Sequence, residues 1–325
     1  MDEDRRWEPD PRPAQPPAGP PLMRLGTVIE VALRILRRHW ALLLLLSLLF
    51  AGPGALLTAA TGMRLNEVAA DVFPGIGEGI IEEQAVITEE QLPRIIGALS
   101  GYAISAMLAG LLASIGALGF SAVVAADYHA RRLEPSEALL ICIRRAPSAL
   151  AFILATSAII MAIIVTGTVV TLLALSVLPG GGGGGGPGAF AALVVVVSGV
   201  AAVAYLTMRW APAFPAMVTE GLGAREALAR SWYLSTDNVG RIFIIVAFGA
   251  VATALTAGVL SQLLGVLLVG VLAPTLGLDE VVAESLALAL GTVLLAALAP
   301  VLAAVLYFDL RARRDIPTAA TGRRP

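Results

Sequence analysis

The chain has 325 residues, of which 58% are hydrophobic and 14% are charged, and its mean hydropathy is +0.85. Soluble domains are about 45–50% apolar and about 25% charged, so this composition excludes an ordinary soluble domain. The single cysteine, Cys142, excludes an intrachain disulfide and a multi-cysteine metal site.

The N-terminal region divides into a tail and an amphipathic segment. Residues 1–21 contain seven of the twenty prolines together with acids and arginines, which predicts a disordered tail. No apolar signal-peptide core occurs there, so we expect this tail to stay in the cytoplasm. Residues 22–40 place apolar side chains at helical spacing opposite charged ones, which predicts a helix in the membrane interface.

Six apolar runs predict an all-α, polytopic membrane protein with six transmembrane helices in a membrane domain of residues 22–314. Gly52-Pro53-Gly54 interrupts the first span and predicts a kink or a short unwound turn. We place the spans at about residues 41–60, 95–126, 149–178, 190–208, 242–272 and 285–308. Small residues four apart predict close helix packing in the second span (Ala106, Gly110, Ser114) and the fifth (Gly249, Thr253, Ala257, Ser261, Gly265).

The placement of arginine predicts the orientation in the membrane. Lysine is absent, and twenty of the 22 arginines lie before the first span, between spans two and three, between four and five, or after the sixth. The alternate loops hold two arginines and ten acids. The positive-inside rule therefore predicts a multi-pass protein of the cell inner membrane with both termini in the cytoplasm. Residues 315–325 are predicted to form a second disordered tail.

Short sequence matches predict an internal repeat. The motif Asp-x-x-Ala-Arg-Arg-x-x-Pro follows two even-numbered spans, at 127–135 and 309–317. Glu30, Glu137 and Glu226 each begin a similar segment upstream of an odd-numbered span. We predict a unit of interfacial helix, outgoing span, outer loop and returning span, present three times at about residues 22–132, 133–212 and 219–314.

The chain offers few groups from which a catalytic or cofactor site could be built. Its two histidines, His39 and His129, lie singly beside arginines. The glycine run 180–186 lacks the Gly-Lys-Ser/Thr end of a phosphate loop and predicts a flexible linker. The acidic pairs at 82–83 and 89–90 fit a solvated loop better than a divalent-cation site. None of the predicted spans contains Asp, Glu, Lys, Arg or His, which argues against a proton-coupled pump, and we expect no cofactor.

Arginines and one aromatic residue at the predicted cytoplasmic surface are the candidate contacts for lipid headgroups or a protein partner. Each basic residue near a membrane surface contributes about 1 kcal/mol to the attraction of anionic lipids, although the same charges also enforce topology. The candidates are Arg37, Arg38, Arg131, Arg132, Arg144, Arg145, Arg230, Trp232, Arg313 and Arg314. The lipid bilayer is the expected partner, and we expect no nucleic-acid partner.

Three stretches resemble one bacterial family: Leu25–Trp40, the Glu226-Ala-Leu-Ala-Arg-Ser-Trp232 segment before a span, and Val305–Arg314. Over most of residues 22–314 the chain is similar to the membrane domain of glycerophosphoryl diester phosphodiesterases, which in actinobacteria also occurs as a stand-alone integral membrane protein. In fused members the phosphodiesterase is a separate soluble barrel with histidines and metal-binding carboxylates. Because no region of this chain could supply that barrel, the resemblance implies a membrane domain without the enzymatic activity.

Together these observations predict a non-catalytic scaffold or accessory subunit with an arginine-rich cytoplasmic face. The alternative is a transporter or lipid-handling permease. A polar cavity near Pro53, Gln262 or Pro300 would favour the alternative, whereas a tightly packed interior would count against it. An enzyme is the third and least favoured interpretation.

Overall fold

The computed structural model describes residues 23–72, 91–177, 186–277 and 279–321, and within these ranges the chain is helical with no strand. The predicted tail at 1–21, the acidic pairs at 82–83 and 89–90 and nearly all of the glycine run lie outside the described residues. The helices are α1 Leu25–Arg38, α2 Trp40–Leu46, α3 Gly52–Val72, α4 Gln91–Tyr128, α5 Pro135–Val177, α6 Pro187–Trp210, α7 Ala213–Thr219, α8 Ala224–Ser235, α9 Val239–Leu267, α10 Ala273–Leu276, α11 Glu280–Leu295 and α12 Leu298–Thr321.

Six helical segments within the described ranges are long and apolar enough to cross a bilayer. This confirms the predicted all-α, polytopic membrane protein with six candidate spans. The segments are Trp40–Asp71, Gln91–Tyr128, Pro135–Ala174, Phe190–Thr219, Val239–Leu276 and Glu280–Arg314. At the C-terminus, α12 continues through Thr321, into the segment predicted as a tail.

The first span is a continuous helix and has no unwound turn at Pro53. Five residues, Ser47–Ala51, form a π-helical segment between α2 and α3. Proline has no N–H to donate to the carbonyl four residues earlier, and a π-helical bulge absorbs such a break without unwinding the chain. The fifth span repeats this arrangement, with a π-helical segment at Leu268–Leu272 just before Pro274.

Two of the three predicted interfacial helices are separate helices, α1 and α8, and the third is not. Residues 136–148 form the first part of α5, which runs through Pro147 without interruption for 43 residues. At about 1.5 Å per residue this helix is roughly 65 Å long, about twice the thickness of the hydrocarbon core. A part of α5 must therefore extend beyond the hydrocarbon region.

The apolar face of α1 packs against protein, where the sequence had predicted contact with lipid. Val28, Ala32 and Ile35 are buried and belong to the same hydrophobic cluster as Val301 and Val305 of α12. Charged residues of α1 such as Arg37 remain exposed. The periodicity that predicted an interfacial helix thus reflects docking of α1 onto the bundle.

Small residues bring the helices close together at two places. A Cβ added at Gly54 of α3 would lie 2.7 Å from Ala109 Cα of α4, whereas nothing lies within 4 Å of one added at Gly110. The close contact of α4 therefore involves Ala109, and the predicted face through Gly110 is wrong. The predicted stripe on α9 packs closely only in part. A Cβ added at Gly249 would lie 3.0 Å from Leu302 Cδ1, and one added at Gly291 would collide with Ser261 Oγ, whereas nothing lies within 4 Å of one added at Gly265.

The best-packed part of the molecule lies at one end of the bundle. Here α1, α8 and the C-terminal parts of α4 and α12 meet, and we call this region the α1 end. The opposite end of the bundle, where α3 ends and α11 begins, is called the far end. Burial decreases away from this core: 56% of the most apolar window of the second span is buried, against 6% of that of the fourth. Within the described part of the chain, much of the α6 surface is therefore exposed.

Candidate functional site

A buried carboxylate organises the α1 end. The Asp309 side chain is fully buried and accepts hydrogen bonds from Arg241 Nε at 2.8 Å and Arg313 Nε at 3.0 Å. It also accepts one from the backbone N–H of Met23 at 2.9 Å, while both arginines donate to the carbonyl of Met23. A buried charge is tolerated only when it is paired and hydrogen-bonded. This cluster therefore fastens the start of α1 to α9 and α12.

A second carboxylate makes a similar connection between the first and second spans. Asp127, at the end of α4, lies 2.9 Å from His39 Nε2 and accepts from Arg38 Nη1 at 3.0 Å. Asp127 and Asp309 begin the two copies of the repeated motif. Each of these carboxylates binds a basic residue near the start of the preceding span. Asp127 binds Arg38, just before the first span, and Asp309 binds Arg241, at the start of the fifth. The first and third predicted units therefore share this type of contact.

A third cluster surrounds Glu220, which follows α7. Arg230 Nε lies 3.0 Å from both carboxylate oxygens of Glu220, and the hydroxyl of buried Tyr307 donates to one of them. Thr219 Oγ1 donates to the same tyrosine hydroxyl at 2.9 Å. Because α8 and α12 both contribute, this cluster holds α8 against α12 within the predicted third unit. Beside it, Arg145 Nη1 donates to the carbonyl of Gly221 at 2.8 Å.

The nine candidate arginines divide into three groups in the structure. Ion pairs with carboxylates occupy Arg38, Arg131, Arg230, Arg313 and Arg314, with partners Asp127, Glu137, Glu220, Asp309 and Asp237 respectively. Arg145 donates to a backbone carbonyl. Arg37, Arg132 and Arg144 are exposed, and within the described ranges no carboxylate forms an ion pair with them.

Trp232 lies under an arginine that sequence analysis did not select. The guanidinium carbon of Arg209 is 4.3 Å from the Trp232 ring centroid and 5.2 Å from that of Tyr205. Arg209 also donates to the hydroxyl of Tyr205. A guanidinium over an aromatic face is an attractive arrangement. The end of the fourth span is therefore fastened to α8 through this stack.

Replacing both Arg230 and Trp232 by alanine should reduce the yield of assembled protein. The change removes the ion pair to Glu220 and the ring beneath Arg209, which are two of the contacts that hold α8. Monodisperse protein recovered in mild detergent measures the effect. Arg225→Ala is the matched control, since Arg225 is an exposed residue of the same helix; equal yields from both variants would contradict the prediction.

Cavities also lie between the helices in the described part of the chain, away from these clusters, and two of them bear on function. One, of about 720 Å³, lies at the far end between α3, α4, α9 and α11. Its lining includes the polar side chains Asn66, Glu67, Tyr102, Gln262 and Glu284. The other, of about 390 Å³, lies nearer the α1 end between α4, α5, α6, α7, α9 and α12, and its mostly apolar lining includes Pro300. Ser261, which approaches Gly291 closely, lines the larger cavity at its edge nearer the smaller cavity along α9.

Sequence analysis missed Asp309, Glu220, Tyr307 and Arg241, which carry much of the polar connectivity. A signal for Asp309 was present, because its position in the repeated motif matches that of Asp127. The motif could not reveal that Asp309 is buried, since burial depends on α1 and α9 packing over it. Nothing in the sequence distinguishes Tyr307 from an aromatic residue at the membrane interface.

These features define a multi-pass, α-helical membrane protein whose polar side-chain clusters lie mainly at the α1 end. Residues 190–310, from α6 into α12, match the family model described as the membrane domain of glycerophosphoryl diester phosphodiesterase. The family resemblance is thereby confirmed over that part, which contains the Glu226–Trp232 segment and the end of the sixth span. No curated protein and no solved structure matches the chain.

Proposed function

We propose that this chain is a non-catalytic scaffold or accessory subunit of the cell inner membrane, with both termini in the cytoplasm. Its α1 end would face the cytoplasm and bind anionic lipid headgroups. The observation that carries the proposal is the division of the arginines described above. Carboxylates at the α1 end hold the structural arginines, and Arg37, Arg132 and Arg144 remain exposed on α1, the α4–α5 turn and α5.

Uncompensated arginines at a membrane surface attract anionic headgroups with about 1 kcal/mol each. The three residues lie on elements that converge, since Arg38 binds Asp127 at 3.0 Å and Arg131 binds Glu137 at 2.7 Å. A headgroup site built from several elements would also stabilise their packing. This is the expected behaviour of a scaffold whose assembly depends on the lipid around it.

Replacing Arg37, Arg132 and Arg144 together by glutamine should reduce the preference for anionic lipid by about 100-fold at low salt, if each contributes about 1 kcal/mol. The measurement is the ratio of anionic to zwitterionic lipid that remains bound after purification from mixed micelles. Salt should weaken the wild-type preference. The matched control replaces Arg64 and Arg94, which are exposed at the far end. An unchanged ratio of bound lipids in the triple variant would show that these three arginines do not bind anionic headgroups.

The non-catalytic part of the proposal has its own test. Purified protein with added divalent metal should not hydrolyse glycerophosphodiesters. Hydrolysis that disappears when His39 and His129 are replaced by alanine would show that the chain is an enzyme. His39 already has a structural neighbour, since its Nε2 lies 2.9 Å from Asp127.

A second candidate function, a transporter or lipid-handling permease, is favoured by the cavity that Gln262 lines together with other polar side chains. The mostly apolar cavity at Pro300 does not meet the criterion of a polar cavity. Movement between the cavities would require α9 and α11 to separate at Ser261 and Gly291. Reconstituted vesicles should then exchange a fluorescent lipid between leaflets faster than protein-free vesicles. Equal rates would exclude lipid transfer and leave the scaffold role.

A further inference from the structure

We propose that the apolar cavity near Pro300 binds one acyl chain of a phospholipid from the leaflet at the α1 end. The inference is independent of the proposed scaffold function, because it rests on the cavity and not on the arginines. The volume of about 390 Å³ lies in the range of ligand-binding pockets. The residues that line the cavity indicate the chemical class of ligand that fits it.

The hydroxyl groups around the cavity are largely satisfied by their own helices. Ser121 Oγ donates to the carbonyl of Ala117 at 2.7 Å, Thr156 Oγ1 to that of Phe152 at 2.9 Å, and Thr207 Oγ1 to that of Val203 at 2.8 Å. These groups present little unused hydrogen-bonding capacity to a ligand. The remaining lining is mostly aliphatic and aromatic, including Phe152, Ile160, Trp210, Phe214 and Leu302. Hydrocarbon therefore suits the site better than a polar solute.

The cavity runs from the lipid-facing surface into the protein core. Among its lining residues, Ser157, Thr207 and Ala299 are exposed, whereas Phe152 and Leu302 are buried. All of these residues belong to the candidate membrane spans. Ser121 lies seven residues before the end of α4, or roughly 10 Å along the helix axis. With the α1 end at one membrane surface, the cavity lies within the adjacent leaflet, where the surrounding medium is acyl chains.

The apolar lining and the lipid surroundings indicate what occupies the cavity. Water does not fill apolar cavities of this kind, and an empty void deprives its lining of packing contacts. A phospholipid chain can enter from the mouth while its headgroup stays at the surface. An acyl chain is hence the ligand that fits both the lining and the location.

Trp210 provides a direct test, because it lines the cavity and is only 9% exposed. Variants retaining one tryptophan, either Trp210 or Trp40, with the others replaced by phenylalanine so that an aromatic ring stays beneath Arg209, are reconstituted in bilayers of phospholipid with brominated or unmodified chains. Trp40 is 65% exposed and should be quenched by bulk lipid. We expect brominated phospholipid to quench Trp210 at least half as strongly as Trp40. Quenching of Trp40 alone would overturn the proposal.

Two further arms make the result specific to this cavity. Ala303→Leu in the single-Trp210 background fills part of the lining and should at least halve the quenching, whereas Ala201→Leu, at an exposed site on α6, should not. Equal quenching in both variants would place the lipid elsewhere. Brominated free fatty acid added to unmodified bilayers should not reproduce the effect. Quenching by fatty acid and not by phospholipid would contradict the phospholipid assignment. If Ala303→Leu does not fold, the comparison of Trp210 with Trp40 decides the question.

Discussion

Asp309→Asn should lower the free energy of unfolding by about 3–5 kcal/mol, the range for breaking a buried ion pair from one side. The Asp309 side chain is fully buried and holds Arg241 and Arg313. Asparagine can still accept from the N–H of Met23, but it leaves two guanidinium groups without their counter-charge. The measurement is unfolding in mixed detergent micelles, followed by tryptophan fluorescence. We also expect faster proteolysis near Met23, because the start of α1 loses its attachment.

The control for this prediction is Asp237→Asn. Asp237 also pairs with an arginine, Arg314 at 2.7 Å, but its side chain is 77% exposed. Exposed ion pairs contribute about 0–1 kcal/mol at most, and solvent screening reduces this further. Its backbone has φ +68°, a conformation that asparagine adopts readily. Comparable destabilisation by both variants would mean that burial of Asp309 does not matter.

Gly54→Leu should weaken the contact between the first two spans by about 1–3 kcal/mol or more, the usual cost of overpacking a well-packed site. A Cβ at Gly54 would lie 2.7 Å from Ala109 Cα and 2.8 Å from Ala109 Cβ. Because the obstacle includes backbone, no side-chain rotation can relieve it. The helices α3 and α4 would have to separate, which the same unfolding measurement would detect.

Gly110→Leu is the matched control, one residue from Ala109 on α4. Nothing lies within 4 Å of a Cβ at this position, and leucine is a better helix former than glycine. We expect unchanged or slightly higher stability. A larger loss at Gly110 than at Gly54 would show that α4 packs through the face that the sequence alone suggests.

The hydrophobic pattern was sufficient to predict six spans, because a span must be long and apolar whatever it packs against. The hydrophobic pattern was not sufficient to predict the helix geometry next to Pro53 and Pro274. Gly52-Pro53-Gly54 predicts a local break, and the structure accommodates both Pro53 and Pro274 with π-helical segments. The choice between an unwound turn and a bulge depends on neighbouring helices that hold the chain straight, and local sequence does not contain that information.

The amphipathic pattern of α1 shows a similar limit. Val28, Ala32 and Ile35 predict an apolar face, and the face is present. Periodicity cannot distinguish a face that meets lipid from one that meets another helix, because both environments are apolar. In the structure α12 covers this face, so α1 belongs to the core of the bundle.

Composition and periodicity by themselves determined that this is an all-α protein with six apolar helices, since hydrocarbon imposes the same requirement on every span. They also determined which segments carry the arginines. Only the tertiary structure decided which arginines are structural, because Asp309 and Glu220 acquire their partners from helices distant in sequence. It likewise decided that a cavity exists near Pro300, since a void is created by the packing of six helices and not by any one of them.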